Sequence, residues 1–482
     1  MPKYLESVIT YYKKLGLKAG LECHQQLDTH KLFCQCPSIL RTDKPNIIIK
    51  RELRPMAGEL GKIDIAALHE KLKGTHYIYE SYSDTTCLVE LDAEPPHEIN
   101  PEALEIALLV AKMLHCEVPP VLQVMRKTVI DGSNTSGFQR TVLVGINGWL
   151  QTDKVKVGIT NVCLEEDAAR RIREDKESVT FRLDRLGVPL IEIGTAPDIK
   201  TPEQGLELAK RIGNLLRATG KAMRGIGTIR QDLNVSIKGG ARVEIKGVQE
   251  LQQIPKLIER EVERQLGLIR SKKEVEREVR NALPDGSTKF LRPMPGAARM
   301  YPETDLSLIP ISKESLAKLK LPELLEAKAA RFIKLGLSAD LAKQMVRWPE
   351  VDFFEDLIKK FKKVKPSVIA SNLFSISSEV KRKTSKEFSF SDEQFEQVFE
   401  LLNQEQIVKE ALLDVFIGIF KGESIEKLAK KFKKLSDAEL KGEIEKIVKT
   451  SKVPPEKLAG VVISKLRGKA EVGKILKLLK KN

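Results

Sequence analysis

Val121–Arg140, VLQVMRKTVIDGSNTSGFQR, sets the character of this chain. Val121–Ile130 alternates as a strand does, and the run stops at Asp131-Gly132 and a Ser/Asn/Thr/Gly cluster too polar for a core. Arg126, Lys127 and Arg140 bracket Ser133, Asn134 and Ser136, small residues whose backbone N–H groups can approach an anion closely. Cations beside exposed backbone donors suit a polyphosphate such as ATP. An ordinary polar hairpin loop has the same composition, so the neighbouring strands have to be weighed with it.

Leu17–Leu27 (LKAGLECHQQL) alternates too, and places Gly20, Glu22, His24 and Gln26 on one face. A carboxylate and an imidazole two residues apart on a strand suit metal coordination or a coupled acid/base pair; an edge-strand salt bridge has the same look. Further strands are expected at 141–146, 155–164, 179–183 and 188–194. Glu165-Glu166-Asp167 set three acids at a strand end, Asp184 falls in a turn, and Glu192 lies within an apolar strand. Ile229–Ile237 aligns Arg230, Asp232, Asn234 and Ser236, and Arg242–Lys246 repeats the device one hairpin later.

So many ionisable groups would be costly to bury without partners. One sheet face is therefore expected to be a polar cavity for cations and phosphates. Glu22, His24, Glu165, Glu166 and Glu192 are the expected catalytic and metal-binding set, with Mg²⁺ as the hard ion beside ATP. Arg126, Lys127, Arg140, Arg230 and Lys246, with Ser133, Asn134 and Ser136, are the expected phosphate contacts. No P-loop or protein-kinase signature is present.

Between these strands, Asn100 caps a helix through Leu114, Thr201 opens another to about Thr219, and a longer charged helix is expected over Ile254–Ala282. Ile63–Leu72 reads as a helix, Arg51–Glu59 as turn-rich, and Tyr77–Tyr82 with Cys87–Leu91 as a hairpin-like pair. Arg292–Asp305 has too many prolines for regular structure and reads as a loop over a site or a linker. After Pro310 the composition turns to Leu/Ala/Lys/Glu with helical periodicity. The fold class is thus α+β, divided at 1–310, 311–404 and 405–482.

At 482 residues the chain is long for a single core. Its 6 cysteines are too sparse for a disulfide framework. Cys34 and Cys36 form a C-Q-C, and with no second C-x-x-C a reduced thiol pair is expected there rather than zinc. The first residues carry no secretory h-region and no apolar stretch is long enough to span a bilayer, so the cytoplasm is expected. The net charge is +15, and 451–482 holds 9 Lys/Arg against 2 Glu. Lys465, Arg467, Lys469, Lys474 and Lys477 suit a nucleic-acid partner, although lysine-rich solvated helices have a similar composition.

The motifs GLECHQQLDT, LRPMAGE, YSDTTCLVELDAEPPHE, RKTVIDGSNTSGFQR, CLEEDAARR, DRLGVPLIEIGTAPDIK, RGIGTIRQDLNVSIKGGARVEIKG and RPMPGAARMYPETD resemble the GatB/GatE family of tRNA-dependent amidotransferases, nearer its archaeal branch. The resemblance implies a glutamine-synthetase-like cradle domain on antiparallel strands, then a helical domain and a YqeY-like, tRNA-binding tail. It implies ATP- and Mg²⁺-dependent phosphorylation of the γ-carboxylate of Glu-tRNA(Gln), then displacement of phosphate by ammonia from a glutaminase partner. That partner would be the asparaginase-like glutaminase subunit of archaea (GatD) or another amidase subunit, in a hetero-oligomer. Glu22, His24, Glu165 or Glu166, and Glu192 match the metal and phosphate-site positions. Two features depart from the family: the synthetase-like domain that archaeal members insert before RPMPGAARMYPETD is missing, and so is the cysteine quartet of the bacterial branch. Bacterial-type activity on Asp- and Glu-tRNA, and a catalytically idle tRNA-binding scaffold, are the competing expectations.

Overall fold

The computed structural model describes residues 3–52, 76–129, 131–153, 155–175, 177–248, 250–294, 300–451 and 455–479. The expected helix at 63–72 and most of the turn-rich 51–59 lie outside them. The chain forms two units, Met1–Pro322 and Glu323–Asn482.

The first unit runs α1 (Lys3–Lys14), β1 (Lys18–Gln26), β2 (Ile47–Arg51), β3 (His76–Ser81), α2 (Pro101–Met113), β4 (Val121–Leu122), β5 (Val124–Thr128), β6 (Phe138–Gln151), β7 (Lys156–Glu166), β8 (Arg170–Glu174), β9 (Ser178–Arg182), β10 (Pro189–Thr195), α3 (Pro202–Ala218), β11 (Ile229–Ser236), β12 (Val243–Val248), α4 (Ile254–Arg270), β13 (Glu278–Ala282), β14 (Thr288–Pro293), β15 (Met300–Pro302), β16 (Ile309–Pro310) and α5 (Lys313–Lys318). Ten of these strands make one sheet in the order β14-β13-β12-β11-β1-β10-β7-β6-β5-β15. Its pairings are antiparallel except β12 with β13. The class is α+β, as the sequence implies.

Strand periodicity does the sorting. Leu21 and Cys23 of β1, Ile191 and Ile193 of β10, Leu164 of β7, Val142 of β6 and Leu233 of β11 share a core with Ala103, Ile106 and Val110 of α2, Leu208 and Ile212 of α3, and Leu257 and Ile258 of α4. The residues between them must face the other way. Helix termini follow local chemistry: the Asn100 side chain caps the α2 N-terminus, and Thr201 with Gln204 forms a capping box on α3.

Helix α2 packs so closely on β6 that a Cβ at Gly145 would lie 2.8 Å from the Cβ of Cys116 and 2.9 Å from that of Ala111. Neither atom is a flexible side-chain end, so Gly145→Ala is expected to destabilise by about 1–3 kcal/mol in denaturant unfolding.

Two expectations fail here. The helix from Ile254 ends at Arg270, because Lys272 adopts a left-handed conformation (φ 55°) and stops it. Residues 278–282 then form β13, whose fully buried Val279 joins the sheet beside β12. Charge pattern alone could not register that tertiary pairing. Likewise Cys87–Leu91 is not a strand. Strand β3 pairs instead with β2 and β9, in a second sheet ordered β2-β3-β9-β8, built on Tyr77, Tyr79 and Phe181. Cys87–Leu91 turns back on itself, with the Cys87 N–H donating to the Glu90 carboxylate at 2.8 Å.

The second unit contains α6 (Leu325–Lys334), α7 (Ala339–Met345), α8 (Val351–Lys360), α9 (Pro366–Thr384), α10 (Asp392–Asn403), α11 (Leu412–Phe420), α12 (Ile425–Lys431), α13 (Asp437–Thr450), α14 (Pro455–Lys465) and α15 (Val472–Leu479). Phenylalanines 332, 354, 361, 395, 399 and 416 dominate one core. A separate small core holds Leu440, Ile444, Ile447, Val462, Leu466 and Ile475. Among the described residues no helix is long and apolar enough to cross a membrane.

Candidate active site on the polar sheet face

On β1, the alternation that buries Leu21 and Cys23 turns Glu22 and His24 to the uncovered face. Their register partners stand on the same face: His24 lies opposite Glu192 of β10 and Arg230 of β11, and Glu22 opposite Asp232. Leu190, two residues from Glu192, lies opposite Glu165 of β7, and Thr141 of β6 opposite Glu165 in turn. Five neighbouring strands thus converge their polar positions on one surface.

The distances bear this out. Ligand atoms of Glu22, His24 and Glu192 all lie within 4.8 Å of one another. His24 Nε2 is 3.4 Å from Glu192 Oε2, and Lys127 Nζ is 3.6 Å from Glu165 and 3.8 Å from Glu192. The Thr141 hydroxyl donates to Glu165 at 2.8 Å. Lys246 bridges Asp232 at 2.8 Å and Glu244 at 2.6 Å. Arg230 reaches Asp167 at 2.8 Å.

Burial and crowding set the protonation of this surface. Burial, reinforced by the Glu192 charge, pushes Glu165 up to about 7, and the same two causes raise Glu22. Burial works in the same direction on Glu192, but the His24 hydrogen bond and the Lys127 charge outweigh it and hold Glu192 down at about 2. The negative charge of the cluster is therefore focused on Glu192, whose buried Oε2 faces His24 Nε2 at 3.4 Å and Lys127 Nζ at 3.8 Å, both longer than a well-formed hydrogen bond. A carboxylate oxygen so loosely held, beside an imidazole and a second carboxylate, belongs to a donor set that suits a hard divalent cation. Glu22, His24 and Glu192 would hold it, with Glu165 adjoining.

The rest of the expected set lies elsewhere. Glu166, next to Glu165, turns to the opposite side and accepts the Arg140 N–H at 3.0 Å. Arg140 Nη1 adds a contact to Glu166 at 3.3 Å and Nε one to Glu303 at 2.8 Å. Arg126 also pairs with Glu303, and with Asp305 at 3.1 Å. Both guanidiniums expected for phosphate are thus occupied by acids. The Ser133 hydroxyl donates to Asp131 at 2.6 Å and that of Ser136 to the Phe138 carbonyl at 3.0 Å. Asn134 and Ser136 line a small hollow with Glu90, Arg140 and Glu166. The single pocket expected from sequence is divided between two sides of the sheet. The basic tail residues Lys465, Arg467, Lys469, Lys474 and Lys477 are all exposed; Lys474 pairs with Asp437 at 2.9 Å and Arg467 with Asp414 at 3.8 Å.

Three sets of residues lie outside the expected site. Asp167 is buried and, besides Arg230, accepts the Gln26 amide at 2.6 Å, anchoring one end of the polar face. Glu303, in the proline-rich stretch, is buried between two arginines. Cys87 and Glu90 complete a cluster with Cys34 and Cys36 in which all ligand atoms lie within 4.8 Å. The expected thiol pair is present, with Cys34 and Cys36 both free, and it is joined by two further possible ligands from a turn some 50 residues on, one of them not a cysteine. The Cys34 thiol donates to Glu90 at 2.8 Å and accepts the Cys36 N–H at 3.4 Å, and the close approach of the Cys34 side chain lowers Cys36 to about 7. Three thiols and a carboxylate suit tetrahedral zinc. Purified protein is expected to carry about one zinc per chain by metal analysis, lost in Cys87→Ser.

Residues 17–317 match the GatB/GatE catalytic domain model. The GatE subunit of the glutamyl-tRNA(Gln) amidotransferase of Methanocaldococcus jannaschii is 41% identical, over 96% of this chain and 98% of its own length. The corresponding subunit of Pyrobaculum arsenaticum is 37% identical over 97% and 99%, and that of Sulfurisphaera tokodaii 36% over 98% and 99%. The first alignment runs to 616 positions against a chain of 482, so that relative carries residues this chain lacks, as the missing insertion implies. A matching catalytic-domain model over most of the chain and end-to-end similarity to these relatives agree: the chain belongs to the GatB/GatE family.

Proposed function

We propose that the chain is the ATP-dependent, carboxylate-activating subunit of a cytoplasmic glutamyl-tRNA(Gln) amidotransferase. The observation that carries this reading is the convergence of Glu22, His24, Glu165, Glu192 and Lys127 on one sheet face. In it, 1–310 is the catalytic cradle, 311–404 a helical domain and 405–482 a tRNA-binding tail.

Glu22, His24 and Glu192 would hold Mg²⁺, which supplies charge neutralisation for a triphosphate when bound. Phosphoryl transfer needs placement and electrostatics more than covalent help from the protein. Lys127 adjoins Glu165 and Glu192 and takes a phosphate oxygen; Lys246, beside Asp232 and Glu244, and Arg230, beside Asp167, flank it. The γ-carboxylate of the esterified glutamate attacks the γ-phosphorus of ATP, and ADP leaves. Ammonia from a glutaminase partner then attacks the acyl carbon, and phosphate leaves to give Gln-tRNA(Gln). Arg126 and Arg140, already paired with acids, support the strands rather than the phosphates.

The test is ATP hydrolysis by the chain with its glutaminase partner, with and without Glu-tRNA(Gln). Stimulation by Glu-tRNA(Gln), abolished in Glu22→Ala while tRNA binding persists, is the expected result. Normal tRNA affinity with no ATP turnover in the wild type would instead make the chain a scaffold.

A further inference from the structure

Residues 300–311 run antiparallel along 120–128. Met300, Tyr301 and Pro302 stand opposite Lys127, Arg126 and Met125. The Glu303 N–H donates to the Val124 carbonyl at 2.9 Å, and that of Ile311 to Pro120 at 2.8 Å. Between them, Ile309 and Pro310 pair with Leu122 and Val121. Strand β15 of this strap is one edge of the ten-stranded sheet, β16 pairs with β4 in a two-stranded sheet of its own, and backbone pairing holds the strap weakly. Strand β15 has 3 residues, all exposed, and its proline donates nothing to the ladder.

Glu303 supplies what the backbone does not. It is 1% exposed. One carboxylate oxygen accepts from Arg126 and from the Asp305 N–H at 3.1 Å, and the other from Arg140 Nε at 2.8 Å. Both guanidiniums lie over the Phe138 ring, 4.7 and 5.1 Å from its centroid. Arg126 and Arg140 are themselves register partners across β5 and β6. One carboxylate therefore clamps the strap to two strands at once, and losing its charge would leave Arg126 only Asp305, at 3.1 Å, and Arg140 only Glu166, at 3.3 Å, as acid partners among the described residues.

Strand β5 carries consequences on both faces. Arg126 is clamped on one, and the next residue, Lys127, emerges on the other between Glu165 and Glu192. We infer that Glu303 is a positioning residue: through Arg126 and Arg140 it fixes the edge register of β5, and with it the placement of Lys127 in the polar cluster. This rests on the reading of that cluster as the phosphoryl-transfer site. A displacement of 1 Å at a reacting centre costs about 100-fold in rate, and a loss of that order is expected in kcat, with the KM for Glu-tRNA(Gln) little changed.

The experiment compares wild type with Glu303→Gln and Glu303→Asp in the full chain. The rate at which an amine-directed acetylating reagent labels Lys127 is measured by peptide mass spectrometry, with Lys246 as internal reference, beside kcat and KM. Faster labelling of Lys127 at unchanged Lys246, accompanied by the fall in kcat, is the expected result. A lowered melting temperature with Lys127 labelling unchanged would make Glu303 merely structural and overturn the inference. If wild type shows no tRNA-stimulated ATP turnover, the functional reading fails, while the labelling comparison still decides whether Glu303 places Lys127. Should both 303 variants fail to fold, Arg126→Gln opens the same clamp from β5 and is read the same way.

Discussion

Glu165→Gln is expected to lower tRNA-dependent ATP turnover by about 10³-fold while leaving the melting curve nearly unchanged. The side chain lies on the polar face, 3.6 Å from Lys127, and burial already holds its carboxyl near neutrality, about 7. An amide there keeps the acceptor for Thr141 and removes a charge that the fold tolerates with difficulty. Glu166→Gln should do the reverse. Its carboxylate is buried against Arg140, and removing one partner of a buried ion pair costs about 3–5 kcal/mol. Activity per folded molecule is expected to fall far less than in Glu165→Gln. Turnover and denaturant unfolding measured on both variants separate the two roles. Equal kinetic losses would mean that the two sides of the sheet act as one site.

The second large effect concerns the tail. Deleting 451–482 would be a poor test, because Val462, Leu466 and Ile475 share a core with Leu440 and Ile444 of α13, and the deletion would expose what it left behind. Charge removal is cleaner. Lys465→Gln, Lys469→Gln and Lys477→Gln together alter exposed positions. If each side chain contacts a phosphate, the plot of log affinity for tRNA against log salt should become shallower by about 3. An unchanged slope would return these lysines to keeping the helices solvated.

How much could be read in advance depended on distance along the chain. Strand β1 was legible because period-two alternation is local, and the same alternation gave Asp232 its face, whereas Glu192 was placed in a strand without one. Glu165 and Glu166 could not be told apart: the acids end a strand, and the choice between them lies in a register with Leu190 and Thr141 that no local pattern encodes. Residues 278–282 had the charge pattern of a helix and became a strand through tertiary pairing with β12. Glu303, and Cys87 with Glu90, are set by contacts between segments far apart in sequence. Arg126 and Arg140 were expected, with Lys127, as phosphate contacts, because the acid that occupies the two arginines lies more than 160 residues away.

Strand order has one more geometric consequence. Strands β14 and β15 follow each other in sequence yet form opposite margins of a ten-stranded sheet. Laid flat at the usual spacing, those margins would be about 43 Å apart. From Pro293 to Met300 a fully extended chain reaches about 25 Å at most. Covalent tethering therefore forbids a flat sheet and keeps the end of one margin within that reach of the start of the other.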